Sequence, residues 1–282
     1  MALHKLIDED PTLRIQRDAQ TKEIVLSGVG QLHIEVVVEK LKRKYGVEVE
    51  LKTPKVPYKE TIKGRAKAQG RLKKQTGGRG QFGDAWLEVS PLPRGTGFEF
   101  VDNIVGGRIP RQFIPAVEDG IRDYLSRGPL GFPVVDVQVS LYDGSYHTVD
   151  SSDMAFKTAG SLAMREGMPK CNPILLEPIY KVSMSAPTGF TSNIQSLISG
   201  RRGQILGFDA KAGWKGWDEV HANMPQSEIQ DLVIELRSLT QGVGTFEFEF
   251  DHLQELTGRL ADQVVQHRQQ VIGDRGGHAA QA

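Results

Sequence analysis

The chain has a single cysteine, Cys171, among its 282 residues. One thiol closes no intrachain disulfide and builds no cysteine-based zinc site, so a reducing, cytoplasmic setting is expected. Net charge is missing too. Thirty-five Lys+Arg balance 35 Asp+Glu, so the total gives no hint of a partner. No apolar run approaches the ~18 residues of a bilayer span. The start, Met1-Ala2-Leu3-His4-Lys5-Leu6-Ile7-Asp8, lacks an apolar h-region and turns acidic, so no signal peptide is expected. No Gly-x-x-x-x-Gly-Lys-Ser/Thr is found, which excludes a Walker A phosphate loop. No Gly-x-Ser-x-Gly elbow marks a hydrolase.

What is present is ordinary in bulk and uneven in detail. Hydrophobics at 39%, charged residues at 25% and aromatics at 7% fit a soluble globular chain of about two domains. The 31 glycines cluster, which points to specific turns and bulges. Between residues 58 and 80 eight cations (Lys59, Lys63, Arg65, Lys67, Arg71, Lys73, Lys74, Arg79) face Glu60 alone. That arm carries a net +7, so the rest of the neutral chain carries −7.

Periodicity predicts three stretches of structure. Residues 13–15 and 23–27 read as a hairpin around a polar turn, followed by a helix over 31–45 stopped by Gly46. Residues 47–51 alternate strictly and predict a half-buried strand. After Pro54 and Pro57, strands are expected at 85–89 and 97–101, a helix over 110–126 and a β-branched strand over 132–141. A second helix runs from Ser151 or Ser152, as N-cap, to residue 166. From residue 177 the order is strand 179–185, helix 191–199, strands 204–209 and 220–224 with a Gly- and Trp-bearing turn between them. An amphipathic helix over 227–239 N-capped by Ser227 and an alternating strand 245–250 follow, a ferredoxin-like β-α-β-β-α-β series. Residues 253–270 read as a polar helical tail and 273–282 as disordered.

Three polar constellations stand out. Thr76-Gly77-Gly78-Arg79-Gly80-Gln81-Phe82-Gly83 follows Lys73-Lys74. It is either a loop whose backbone approaches phosphates under basic side chains or a bare turn with solvated lysines. Asp143-Gly144-Ser145-Tyr146-His147-Thr148-Val149-Asp150-Ser151-Ser152 combines Ser, His and Asp, but neighbours in one loop rarely converge as a triad. A strand-ending loop that caps the next helix fits better, with Tyr146 and His147 exposed for stacking on unpaired bases. Gly200-Arg201-Arg202-Gly203 is a basic turn, either capping a helix or meeting RNA. His4, His33 and His221 have no partner at ligand spacing and are expected to be structural.

These loops in this order resemble the C-terminal half of bacterial elongation factor G, the translocation GTPase, or of an elongation factor G-like paralogue. The carriers are Leu26-Ser27-Gly28-Val29-Gly30-Gln31-Leu32-His33, residues 73–83, Ile109-Pro110 through Ile114-Pro115-Ala116-Val117, and Gly144-Ser145-Tyr146-His147 through Asp150-Ser151-Ser152. Leu176-Glu177-Pro178-Ile179, Gly200-Arg201-Arg202-Gly203 and Leu236-Arg237-Ser238-Leu239-Thr240 complete a match over about residues 3–250. The resemblance implies an α+β fold: two ferredoxin-like α/β sandwich modules, the first truncated, flanking an elongated α+β middle domain. Residues 1–53 would be the family's third domain, 54–177 its fourth, 178–250 its fifth, and 251–282 an added tail.

On that resemblance the fourth domain enters the ribosomal decoding region beside A-site tRNA and mRNA. Its tip would comprise Gly77, Gly78, Arg79, Gly80 and Gln81 with the loop Ser145, Tyr146, His147, Thr148 and Val149, His147 matching the family's tip histidine, and Lys73 and Lys74 lead into it. Arg201 and Arg202 would meet large-subunit rRNA. No cofactor is implied for this chain, because GTP and magnesium belong to the family's N-terminal GTPase domain. That domain and the second are absent, so the chain reads as a monomeric, non-catalytic fragment. Free RNA binding without a ribosome is the alternative from a different class. Three departures favour the paralogue, which would act in ribosome recycling or regulation: a turn at 128–133 one residue short, Asp84 where histidine is common, and the tail.

Overall fold

The computed structural model describes residues 2–75 and 80–279, with side chains to residue 273. The first elements are α1 (Ala2–Glu9), β1 (Arg14–Arg17), β2 (Ile24–Ser27), α2 (Gln31–Tyr45), β3 (Lys59–Ile62), β4 (Ala66–Lys74), β5 (Gln81–Pro91) and β6 (Phe98–Asp102). Next come α3 (Ile114–Leu125), β7 (Val137–Ser145), α4 (Asp153–Gly167), β8 (Pro173–Pro187), α5 (Thr191–Gly200), β9 (Gln204–Ala210) and β10 (Trp217–Pro225). The last are α6 (Gln226–Ile229), α7 (Leu232–Leu239), β11 (Thr245–Leu256) and α8 (Arg259–Ala279). They form two compact units, residues 1–57 with 178–251, and residues 58–177 with 252–282.

In the first unit β1 and β2 pair antiparallel, Arg14 opposite Ser27, around a turn in which the Asp18 carboxylate accepts from the Gln20 and Thr21 amides. Leu6, Leu13, Val37 and Leu41 are buried between this hairpin and α1 and α2. Gly46 ends α2 in the left-handed conformation, and its amide reaches the Lys42 carbonyl at 3.0 Å. The strand expected at 47–51 does not form, and Val47, Val49 and Leu51 are exposed. The small sheet here is the β1–β2 pair, and residues 47–51 join neither of its open edges.

The rest of this unit is the complete module. β11, β8, β10 and β9 lie in that spatial order, with β10 antiparallel to both β8 and β9. Val182, Met184, Val220 and Met224 face Ile194, Ile198, Leu232 and Leu236 from the helices. The helix expected over 227–239 is two helices, α6 and α7, and Ser227 lies inside α6 instead of capping it. β11 also runs on to Leu256, so 253–256 are strand and the tail helix starts at Arg259. That helix continues through 273–279, where no fixed structure was expected.

The second unit is built on the sheet β4-β5-β7-β6, antiparallel except for β6 with β7. Leu87, Val89, Val139 and Leu141 point to one side, where they meet Ile121 of α3 and Phe156 and Met164 of α4. α4 lies so close to β4 that a Cβ on Gly70 would come 1.9 Å from the Ala159 carbonyl oxygen. Ser152 caps α4 as expected, its hydroxyl accepting from the Ala155 amide at 3.3 Å. The expected strand 132–141 divides at Asp136, whose φ of 58° breaks the extended chain, and β7 begins one residue later. The turn before it wraps Glu60, a fully buried side chain that accepts from the Leu130 and Phe132 amides at 2.8 and 3.1 Å. Phe132, Leu175 and Leu256 close a second small core here under Ala261, Val264 and Val265 of α8. Arg268 donates to the Gly131 carbonyl at 2.9 Å and lies over the Phe132 ring.

Candidate nucleic-acid interface

β4 and β5 form a hairpin whose last pairs are Lys73 with Phe82 and Lys74 with Gln81. Gly77, Gly78 and Arg79 lie outside the described residues. Inward positions of β4 are the small or apolar Ala66, Ala68, Gly70 and Leu72, so Lys67, Arg71 and Lys73 all fall on the outer face. Two of these cations are engaged with rings. Lys67 stands 5.1 Å from the centre of Tyr142 and Arg71 5.6 Å from Phe82. Lys73 and Lys74 are exposed and have no ion pair among the described residues.

The loop following β7 lies against this hairpin, and Asp150 joins the two. Its carboxylate accepts from the Gly80 amide at 3.0 Å, and its carbonyl accepts from the Phe82 amide at 2.9 Å. A Cβ at residue 80 would stand 2.9 Å from that carboxylate, so glycine leaves room for the contact. Ser151 completes the join by donating to the Phe82 carbonyl and accepting from the His147 amide, both at 2.9 Å.

His147 is half exposed. Its Nδ1 accepts from the Val149 and Asp150 amides at 3.3 and 3.2 Å. A ring nitrogen that accepts carries no proton, so in the neutral ring the proton sits on Nε2, which has no partner among the described residues. The loop therefore presents a hydrogen-bond donor outward. Tyr146 beside it is also exposed. Ser145 behaves differently from its neighbours, donating at 2.8 Å to the buried Asp84, which also accepts from Gln69. Its hydroxyl supports the loop from within.

Arg201 and Arg202 belong to the other unit, at the end of α5, and their guanidiniums are engaged. Arg201 forks onto Glu235 at 2.6 and 3.2 Å and donates to the Glu228 carbonyl at 2.7 Å. This hydrogen-bonded pair holds the Glu235 carboxyl below its usual range. Arg202, at a φ of 55°, donates to Glu228 and Ser227, both at 3.0 Å. Two of the three histidines expected to be structural have partners: His33 Nε2 is 2.9 Å from Asp10, and His221 Nδ1 is 3.0 Å from the Ser183 hydroxyl, while His4 is exposed. No group of His, Cys, Asp and Glu among the described residues is placed to hold a metal ion. No helix among them is long and apolar enough to cross a membrane.

The structure thus brings together Lys73, Lys74, Gly80, Gln81, Tyr146 and His147, and leaves Arg201 and Arg202 elsewhere. Sequence reasoning overlooked Asp150, Phe82 and Arg71 as parts of the site. For Asp150 the available signal was an acid three residues after a histidine in a turn.

A basic hairpin and an aromatic-bearing loop are thus joined at the end of the sheet of an α+β domain. Comparison with known proteins identifies the family. The family model described as elongation factor G, domain III, matches residues 1–53, that of domain IV matches 54–172, and that of the elongation factor G C-terminus matches 174–264. An elongation factor G-like protein of Synechocystis is 54% identical over 260 residues, covering 92% of this chain and 39% of the relative. Elongation factor G of Aquifex pyrophilus is 46% identical over 263 residues, covering 93% and 37%. A crystal structure of a Thermus thermophilus protein superposes with a TM-score of 0.86 at 44% identity, covering 95% of this chain and 40% of that one. This chain belongs to the elongation factor G family. It spans less than two fifths of the length of the two curated relatives.

Proposed function

We propose that this chain is the ribosome-binding C-terminal part of a translation factor, and that its middle domain inserts its tip into the A site. The observation that carries the reading is the Asp150 join, which makes one presented surface out of the Lys73–Lys74 hairpin and the His147 loop. There the lysines meet phosphates and the His147 Nε2 proton meets an RNA acceptor, while the bulk of the domain keeps tRNA and mRNA from slipping back. The tip acts by position and charge, with no bond made or broken. GTP hydrolysis is assigned in this reading to parts of the family other than the three matched here, domain III, domain IV and the C-terminus. The protein acts as a monomer in the cytoplasm.

The higher identity to the elongation factor G-like relative carries a second reading, a paralogue parent acting in recycling or regulation, which a full-length parent without translocation activity would favour. The test is His147→Ala in the full-length parent. Translocation is expected to slow while ribosome-stimulated GTP hydrolysis persists, and equal loss of both activities refutes the tip assignment. Co-sedimentation with ribosomes in preference to arbitrary structured RNA separates this reading from free RNA binding.

A further inference from the structure

The turn between β9 and β10, Lys211-Ala212-Gly213-Trp214-Lys215-Gly216, plays no part in the tip. Tryptophan is a costly residue to leave in water, yet Trp214 is 50% exposed. It is also held in place. The Lys211 amide donates to the Trp217 carbonyl at 2.8 Å, the Trp214 amide to the Lys211 carbonyl at 3.1 Å, and the Trp217 amide to the Trp214 carbonyl at 3.2 Å. Gly213 and Gly216, at φ of 79° and 77°, let the turn close this tightly. The Trp217 ring meets Trp214 edge-on with centres 4.8 Å apart.

Two lysines stand by the ring, and one of them, Lys211, also donates to the Ser185 hydroxyl at 2.7 Å. Lys211 Nζ lies 5.0 Å from the Trp214 ring centre. Lys215 is exposed, with no ion pair among the described residues. The nearest acids are partly spent: Asp218 accepts from Thr188 and Thr191, and Glu219 accepts from Ser185 and faces Lys211. Asp209 is exposed on the adjoining strand. A rigid, half-exposed indole beside a free ammonium is the arrangement that takes a nucleotide, with the base on the ring and the phosphate on the cation.

We propose that Trp214 and Lys215 form a second RNA-binding point, separate from the tip loops, for an unpaired nucleotide of a single-stranded or bulged segment. It rests on the reading that this chain meets RNA, but not on the tip. The test titrates the 282-residue chain with a fluorescently labelled, unstructured 12-nucleotide RNA and reads anisotropy at fixed salt. Trp214→Phe keeps a π face and is expected to bind within about two-fold of the parent, while Trp214→Ala and Trp214→Leu lose on the order of ten-fold. Lys215→Gln is expected to flatten the dependence on salt by roughly one phosphate contact. If Leu binds as well as Phe, the indole serves apolar docking and the proposal falls. It falls equally if Trp214→Ala binds like the parent. Loss with Lys73→Glu but not with Trp214→Ala leaves the tip reading standing and removes this one, and the reverse result removes the tip reading alone.

Discussion

Glu60 makes stability depend on pH in the direction opposite to most carboxylates. Its side chain is fully buried under the turn 128–132, and burial pushes its pKa from 4.5 to about 7 against the pull of the Leu130 and Phe132 amides. Between those two values the native state binds a proton that the unfolded chain does not, so stability falls as pH rises through that window. Below it both states are protonated and the effect vanishes. The rise from 4.5 to about 7 amounts to about 3 kcal/mol lost by pH 8, at about 1.4 kcal/mol for each tenfold change. Glu60→Gln removes the dependence. Its amide oxygen accepts one of the two N–H groups and its NH2 faces the other, at a cost of about 1–2 kcal/mol at every pH. Urea unfolding at steps from pH 5 to pH 8 is therefore expected to show a falling midpoint for the parent and a flat one for the variant, with the curves crossing. A parent midpoint constant across this range, or a variant that keeps the slope, refutes the assignment.

Two further outcomes follow from close packing and from charge. Gly70→Ala places a methyl group 1.9 Å from the Ala159 carbonyl, so α4 must lift off β4 at a cost of about 2–3 kcal/mol, read as a lower Tm by calorimetry. Gly200→Ala, with nothing within 4 Å, is the control and is expected to change little. Arg201→Ala leaves the Glu228 carbonyl and Glu235 without their charged donor, and about 1–2 kcal/mol of unfolding free energy is expected to go. An unchanged urea midpoint would show that the fork is ornamental to stability.

Elements whose signals are local were legible. Gly46 stops α2, Ser152 caps α4, and the alternation from residue 245 is a strand, because each depends on neighbours within a few positions. β4 was hidden by its own packing. Its inward residues are Ala, Ala, Gly and Leu because α4 presses on them, which leaves almost no apolar alternation to detect among the lysines. Residues 47–51 erred the other way, with a strand pattern whose apolar side chains reach no core and pair with no strand. At the site, Lys73, Lys74, Tyr146 and His147 announce themselves by residue type. Asp150 does not, since its role depends on Gly80, 70 residues earlier in the chain.

The small core shared by Phe132, Leu175 and Leu256 has a consequence during synthesis. Its first two members leave the ribosome well before the third, and α8, which covers them, emerges later still. At roughly 5–20 residues per second the interval between Leu175 and Leu256 lasts on the order of 4–16 seconds. Through that time Phe132 and Leu175 wait uncovered on a nascent chain, and the turn around Glu60 waits for Arg268. The middle domain is therefore finished by α8, which follows the next module in sequence, so premature termination anywhere in that module leaves an apolar patch on the one that precedes it.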